Sequence, residues 1–129
     1  MGLVLDKSKG LVLGSELVAN GTFATDSGWT KDAGWTITGG TAVATSATNG
    51  TSVYQPSTAQ TNKWYEVRFT ISGFTGGAAY FTFYDGGTSP DVTSNGTYVF
   101  KVLKTGVFAF HGLAARGTCS FSVDNISIK

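Results

Sequence analysis

The stretch KWYEVRFTIS, residues 63–72, alternates between apolar and polar side chains and indicates the fold of the whole chain. Its apolar series is Tyr65, Val67, Phe69 and Ile71, and its polar series is Glu66, Arg68, Thr70 and Ser72. Successive side chains of a β-strand point to opposite faces of the sheet, so the pattern predicts one buried face and one solvated face. We therefore expect residues 63–72 to form a half-buried strand of an antiparallel sheet.

Further short apolar stretches lie on both sides of this strand and are separated by turn residues. They are ELVANGTF (16–23), GWTITGG (34–40), TAVATS (41–46), TSVYQP (51–56), AAYFTFYD (78–85), GTYVFKVL (96–103), GVFAFHG (106–112) and CSFSVDNISIK (119–129). Strands that recur about every ten residues, without helical periodicity, are typical of a β-sandwich. The sequence predicts an all-β protein whose fold is an antiparallel β-sandwich of the jelly-roll type.

Composition and charge exclude several classes of function. The 129 residues are 41% hydrophobic, which suffices for one core and hence for one domain. Charged residues make up 13% and the net charge is +1, so the chain lacks the basic surplus that nucleic acid or an anionic membrane attracts. We expect neither of these partners. Cys119 is the single cysteine, which excludes an internal disulfide and a cysteine-based zinc cluster.

Residues 1–15 differ from the rest of the chain, because they contain the tetrapeptide GLVL twice and too few apolar residues to form a core. We predict an N-terminal arm, extended or a loose hairpin around DKSK, that makes attachment or oligomer contacts. Its contact residues are Leu3, Leu5, Leu11 and Leu13. The charged residues of DKSK interrupt the apolar run that a secretory signal needs, so we expect synthesis in the cytoplasm without an export signal. Residues 16–129 form the sandwich domain.

Three segments resemble, in the right order, the carbohydrate-binding-module jelly rolls of the family 4/9 type. They are ELVANGTFATDSGWT (16–30), GWTITGGTAV (34–43) and FSVDNISIK (121–129). Such domains open with an Asn-Gly-x-Phe strand, have Gly-Trp shortly afterwards, and end in a strand with an Asp-Asn-Ile-Ser type of pattern. They are attached to polysaccharide-degrading enzymes or occur in bacteriophage virion proteins. Small phage proteins of this kind often begin with a sequence of the type GLVLG-ELV-NG-F. This chain shares that sequence through residues 10–14 and 16–23.

The resemblance implies a non-catalytic bacteriophage virion protein, a capsid decoration, head-fibre or tail-associated subunit, with the sandwich on the virion surface. Its partner would be a capsid or tail protein of the same particle. Lattice decoration proteins are often trimers, and residues 98–103 have apolar side chains on both faces of a strand, so we expect a homotrimer. The alternative is a free-standing glycan-binding module that targets polysaccharide, for example on a cell surface.

Aromatic side chains bind sugars in the resembling family, because a planar ring offers an apolar platform for the C–H face of a pyranose. The candidate carbohydrate-binding residues are Trp29, Tyr54, Tyr80, Tyr84 and His111, with Trp35 and Trp64 as further aromatic candidates. Tyr80 and Tyr84 alternate with Phe81 and Phe83, so core phenylalanines would place both tyrosines on the outer face. The sequence does not decide whether Trp29 lies in the core or on the binding surface.

Catalysis finds little support in the sequence. The best candidate pair is His111 as base and Cys119 as nucleophile across a hairpin. If Phe108 and Phe110 face the core together with Cys119, alternation sends His111 to the opposite, outward face. Most of the acidic residues lie in predicted turns, where aspartate is an ordinary turn former, and the sequence offers no carboxylate pair for glycoside hydrolysis. We predict no enzyme.

A structural calcium ion is frequent in the resembling family, where an acidic residue after the Asn-Gly-x-Phe motif and the aspartate of the last strand are among its ligands. Here Ala24 occupies the first position, and Asp124 occupies the second. Calcium takes six to eight oxygen ligands with several carboxylates, so this set is incomplete. The alternative role of Asp124 is to cap the turn before NISIK through its own backbone.

Overall fold

The computed structural model of the protein describes the backbone of residues 4–6 and 11–129 and the side chains of residues 14–129. Leu3 lies outside the described residues, as do the side chains of Leu5, Leu11 and Leu13. The strands are β1 (Val4–Asp6), β2 (Leu11–Leu13), β3 (Thr30–Lys31), β4 (Trp35–Thr38), β5 (Thr41–Ala47), β6 (Ser52–Pro56), β7 (Lys63–Thr75), β8 (Ala78–Thr82), β9 (Gly96–Lys104), β10 (Phe110–Arg116) and β11 (Cys119–Ile128). This part of the chain contains no helix, which confirms the all-β prediction.

Two antiparallel sheets pack together as a sandwich, which confirms the predicted fold class. One sheet has the strand order β3-β6-β10-β8, and the other has the order β4-β5-β11-β7-β9. From β5 to β11 each strand along the chain belongs to the opposite sheet from its predecessor, the alternation typical of a jelly roll. A separate two-stranded sheet pairs β1 with β2, in the register Val4 to Leu13 and Leu5 to Val12.

Strand β7 has the predicted half-buried pattern. Val67, Phe69 and Ile71 are buried, whereas Arg68 and Ser72 are exposed. The strand lies between β11 and β9 and is paired with β9 over its whole first part, residues 63–71. Its inner face therefore contributes to the centre of the core.

The core consists of apolar side chains from the inner faces of both sheets. Its largest members are Phe23, Trp29, Trp35, Phe69, Phe81, Phe83 and Phe121. Several of these rings meet edge to face, among them Trp35 with Phe121 and Phe81 with Phe83. Burial of one such side chain stabilises the fold by about 1.5–3 kcal/mol, so these contacts dominate the stability of a chain without disulfides.

The prediction of a strand over residues 16–23 is wrong. Asn20 and Phe23 have positive φ angles of 54° and 52°, which interrupt an extended backbone. The segment instead runs along β11, to which it makes two backbone hydrogen bonds, from Leu17 N to Ile128 O and from Ile126 N to Gly21 O. Phe23 still reaches the core, because this irregular segment covers one end of the sandwich.

The predicted hairpin of β10 and β11 is also wrong, because the two strands belong to different sheets. The turn at Gly117 carries the chain across the sandwich, and β10 pairs with β6 and β8. His111 therefore faces inward with Leu113 and is fully buried, not exposed as expected. Phe108 precedes the strand and is 49% exposed, although the sequence had placed it in the core.

His111 joins the irregular N-terminal segment to the sheet through Gln55. Gln55 accepts a hydrogen bond from Ala19 N and donates to the carbonyl oxygens of Ala19 and Gly28, each at 3.0 Å. These contacts fix the orientation of the Gln55 amide, so His111 Nε2 donates to Gln55 Oε1 at 2.9 Å. Burial lowers the pKa of His111 from 6.5 to about 4, and the nearby Glu16 carboxylate offsets part of this effect. The ring is neutral at pH 7.

The buried His111 predicts a specific acid sensitivity. Its pKa in the folded state lies below the unfolded value of 6.5, so its stabilising effect is complete above pH 6.5 and is lost as the pH falls toward 4. We expect the free energy of unfolding of the wild type to fall by about 3 kcal/mol more than that of His111→Gln over this interval. Urea titrations of both proteins across this pH range measure the difference between their free energies of unfolding. The contributions of the carboxylates cancel in this difference, because both proteins contain them. Parallel pH profiles would contradict the prediction.

No helix in the described part of the chain is long and apolar enough to cross a membrane.

Candidate binding site

The outer face of the four-stranded sheet has small residues in its middle strand and larger residues on both sides. Gly112 of β10 pairs with Tyr54 of β6 and with Thr82 of β8. Ala114, two residues further along, pairs with Ser52 and Tyr80. Because the outward side chains of β10 are smaller than those of β6 and β8, this face has a depression along β10.

Tyr84 follows β8 and covers part of this depression with its side chain. Its φ of 72° is unusual for a bulky residue and indicates local backbone strain. Two hydrogen bonds hold it, from Tyr84 N to Thr82 Oγ1 at 2.7 Å and between the Tyr84 hydroxyl and Ser52 Oγ at 2.7 Å. Burial raises the pKa of the Tyr84 phenol, which therefore stays neutral. The strained backbone directs the ring onto the outer face of β10.

A pocket of about 320 Å³ opens beside Tyr84, and we call it the groove. Its lining residues are Asp32, Gly50, Ser52, Tyr54, Tyr84, Phe108 and Phe110. The four aromatic rings form a closed series, in which each ring contacts the next. Their centroids are separated by 5.9 Å for Tyr54–Tyr84, 6.2 Å for Tyr84–Phe108, 5.2 Å for Phe108–Phe110 and 5.8 Å for Phe110–Tyr54. The groove therefore has aromatic walls.

Asp32 supplies the carboxylate of the groove. Its Oδ2 accepts a hydrogen bond from Ser52 N at 2.9 Å, and the Asp32 backbone N donates to Ser52 O at 3.0 Å. Among the residues that the structure describes, no donor is hydrogen-bonded to Oδ1. Asp32 is thus fixed beside β6 with one oxygen available for a ligand.

The loop that bears Phe108 is fixed by Asp85. The Asp85 carboxylate accepts hydrogen bonds from Val107 N at 3.0 Å and from Phe108 N at 2.9 Å. Val107 is 85% exposed, the highest value among the exposed large apolar residues. Two neighbouring apolar residues are therefore presented to solvent at the rim of the groove by a loop that is held in place.

The residues predicted from sequence do not form one surface. Tyr54 and Tyr84 line the groove, whereas Tyr80 lies on the same sheet face under Arg116, whose guanidinium is 4.3 Å from the ring centroid. Trp29 and His111 are buried in the core and cannot contact a bound sugar. Trp35 is also a core residue.

Five of the seven groove residues were missed by the sequence prediction, namely Asp32, Gly50, Ser52, Phe108 and Phe110. Phe108 and Phe110 were assigned to the core, which is the usual place for phenylalanine. Their proximity to Tyr54 depends on the pairing of Phe110 with Pro56 across β10 and β6, which no local pattern reveals. Asp32 was among the acidic residues assigned to turns, and its contact with Ser52 likewise joins segments remote in sequence.

A second pocket, of about 430 Å³, lies at the junction of the N-terminal segment and the five-stranded sheet. Its lining includes Ser15, Leu17, Lys63, Trp64 and Lys129. Trp64 is 61% exposed and is on β7, so it is remote from the groove on the other sheet.

The position suggested for calcium has few ligands in this structure. Asp124 Oδ1 accepts a hydrogen bond from Asn125 N at 2.7 Å, so the side chain caps its own turn. Within the described residues, no three His, Cys, Asp or Glu side chains cluster in a way that could hold a metal ion. The residues present do not fit a calcium site of the family type.

Neither His111 nor Cys119 has the properties of an activated catalytic group. Burial lowers the pKa of His111 and raises the pKa of the Cys119 thiol. The thiol donates a long hydrogen bond of 3.6 Å to Ala78 O. A buried neutral thiol is a poor nucleophile, because the thiolate is the reactive form.

The sequence matches no protein-family model and no curated protein sequence.

The close packing around Gly112 of β10, at the floor of the groove, predicts that one added methyl group destabilises the fold. A Cβ at Gly112 would collide with Val53 O and would lie 2.8 Å from the Tyr84 hydroxyl oxygen. We expect Gly112→Ala to lower the free energy of unfolding by about 1–3 kcal/mol and to displace Tyr84. Chemical denaturation measures this loss.

A matched control is Gly39→Ala, because a Cβ at Gly39 meets nothing within 4 Å although its φ is 61°. That variant is expected to lose only about 1 kcal/mol, the cost of the left-handed backbone. If Gly112→Ala is no less stable than Gly39→Ala, the close packing of Val53, Tyr54 and Tyr84 around Gly112 is contradicted.

Proposed function

We propose that this protein is a non-catalytic structural subunit of a bacteriophage virion, where it displays a carbohydrate-binding-like sandwich on the particle surface. The observation that supports attachment through the N-terminal arm is the separate pairing of β1 with β2, apart from both sheets of the sandwich. The resemblance to small phage proteins through residues 10–14 and 16–23 supports the same function. A capsid decoration, head-fibre or tail-associated subunit fits these features.

The sequence of the arm suits it to contact another protein. A two-stranded hairpin cannot bury its own apolar side chains and has marginal stability in isolation. The segments that form β1 and β2 are VLD and LVL, which are mainly aliphatic. In our proposal they pack on a capsid or tail protein of the same particle. Exposed Val99 and half-buried Leu103, on the outer face of the five-stranded sheet, favour a further contact between copies in a homotrimer.

Deletion of residues 1–15 tests the attachment. We expect the truncated protein to remain folded, because the core residues all lie between Phe23 and Ile128. We also expect it to be absent from purified particles when it replaces the full chain in the phage. Circular dichroism measures the folding, and immunoblotting of gradient-purified particles measures the incorporation.

A matched control separates apolar packing from charge. The double variant Lys7→Gln, Lys9→Gln alters the arm without removing its aliphatic residues and is expected to be incorporated normally. If the truncated protein assembles on particles as well as the full chain does, the arm is not the attachment segment and the proposal is wrong.

Glycan binding is a second candidate function, and the groove is the observation that favours it. Half-buried tyrosines and exposed phenylalanine line a pocket of about 320 Å³ that also contains a carboxylate and a serine. Aromatic walls with a few polar groups are the usual composition of a sugar-binding cleft. In this form the protein would be a free-standing module that targets a polysaccharide, and the two functions are compatible on one particle.

Substitution of the groove aromatics tests this second function. Tyr54→Ala and Phe108→Ala each remove one wall, and we expect each to weaken binding of an immobilised cell-surface polysaccharide about tenfold. Trp64→Ala is the control, because Trp64 is at least as exposed but lies on the opposite sheet. Affinity electrophoresis of the three variants measures the change. A loss confined to Trp64→Ala would place the binding site outside the groove.

A further inference from the structure

We propose that the groove selects glycans that carry a protonated amine, with the ammonium group held between the four aromatic rings and Asp32. This inference rests on the glycan binding proposed above and adds the chemical class of the ligand. It predicts that amino sugars bind better than neutral or acidic sugars.

The charge of the groove supports a cationic ligand. Asp32 is the one charged residue among those that line it, and the other six are neutral at pH 7. Lys31, the basic residue next to Asp32 in sequence, is directed to Asp26, with its Nζ 2.5 Å from Asp26 Oδ1. Among the described residues the Asp32 carboxylate therefore forms no ion pair, and its negative charge attracts a cation to the groove.

The aromatic walls support the same ligand. The negative face of an aromatic ring attracts a cation within about 6 Å of its centroid. Tyr54, Tyr84, Phe108 and Phe110 form a closed circuit of contacts with centroid separations of 5.2–6.2 Å. All four residues line the same pocket, so an ammonium group bound there would lie beside several rings, and their negative faces together with Asp32 favour it over a sugar carboxylate.

Hydrogen bonding to Asp32 also favours an ammonium group as the ligand. An ammonium group is a donor without acceptor capacity, and it needs oxygen atoms around it. Asp32 Oδ1 is a charged acceptor for it, because in the described part of the chain the hydrogen bond from Ser52 N, at 2.9 Å, goes to Oδ2 and none goes to Oδ1. An N-acetyl group has no charge and offers a carbonyl oxygen instead, so it forms no ion pair with the carboxylate.

Two oligosaccharides of equal length test the proposal on the full chain, namely chitosan oligosaccharide with free amines and its fully N-acetylated counterpart. Isothermal titration calorimetry at low salt and mildly acidic pH, where the amine is protonated, measures both affinities. We expect the amine form to bind about tenfold more tightly and to lose this advantage at high salt. Equal affinities overturn the amine selectivity and leave glycan binding intact. If neither oligosaccharide binds, both the amine selectivity and the proposed glycan binding are overturned.

Asp32→Asn tests the role assigned to the carboxylate. The amide oxygen can still accept the hydrogen bond from Ser52 N, so the local backbone is expected to remain in place. The variant should bind the amine form about tenfold more weakly and the N-acetylated form as the wild type does. Asp26→Asn is the matched control, because Asp26 pairs with Lys31 outside the groove, and it should change neither affinity. An unchanged preference for the amine in Asp32→Asn overturns the proposal.

Discussion

The structure depends on the burial of the inner faces of two sheets that are connected alternately along the chain. Each of the strands from β5 to β11 delivers its apolar residues to the core from the side opposite to the preceding strand. Neighbouring strands of one sheet are therefore distant in sequence, as with β10 between β6 and β8. Because no disulfide is available to the single cysteine, this packing stabilises the fold. It also determines which residues meet on the outer faces, where the groove lies.

The alternation of residues 63–72 was sufficient to predict β7, and similar patterns predicted most other strands and the sandwich. Local patterns do not contain the pairing between distant strands, and the errors follow from this. His111 was assigned outward because β10 and β11 are adjacent in sequence, although they belong to different sheets. Residues 16–23 have the composition of a strand, but the positive φ angles of Asn20 and Phe23 exclude one.

The candidate site was predictable only in part. Tyr84 was predicted to face outward because Phe81 and Phe83 were assigned to the core, whereas Tyr54 was predicted only as an aromatic candidate. Asp32 and Phe108 join them only after the chain has folded, since each is held in place by a partner remote in sequence, Ser52 for Asp32 and Asp85 for Phe108. The strained backbone at Tyr84 has no sequence signature either, and it directs the ring over Gly112.

The anchoring of Glu16 has a mechanical consequence. Its carboxylate accepts hydrogen bonds from Ser127 Oγ at 2.5 Å and from Ile128 N at 2.7 Å, and Leu17 N donates to Ile128 O. A pulling force on the residues before Gly14 would therefore reach the sandwich at β11, a central strand of the five-stranded sheet. The load would be distributed over β5 and β7 on either side of that strand. A tether anchored to a central strand resists detachment better than one anchored to a free edge.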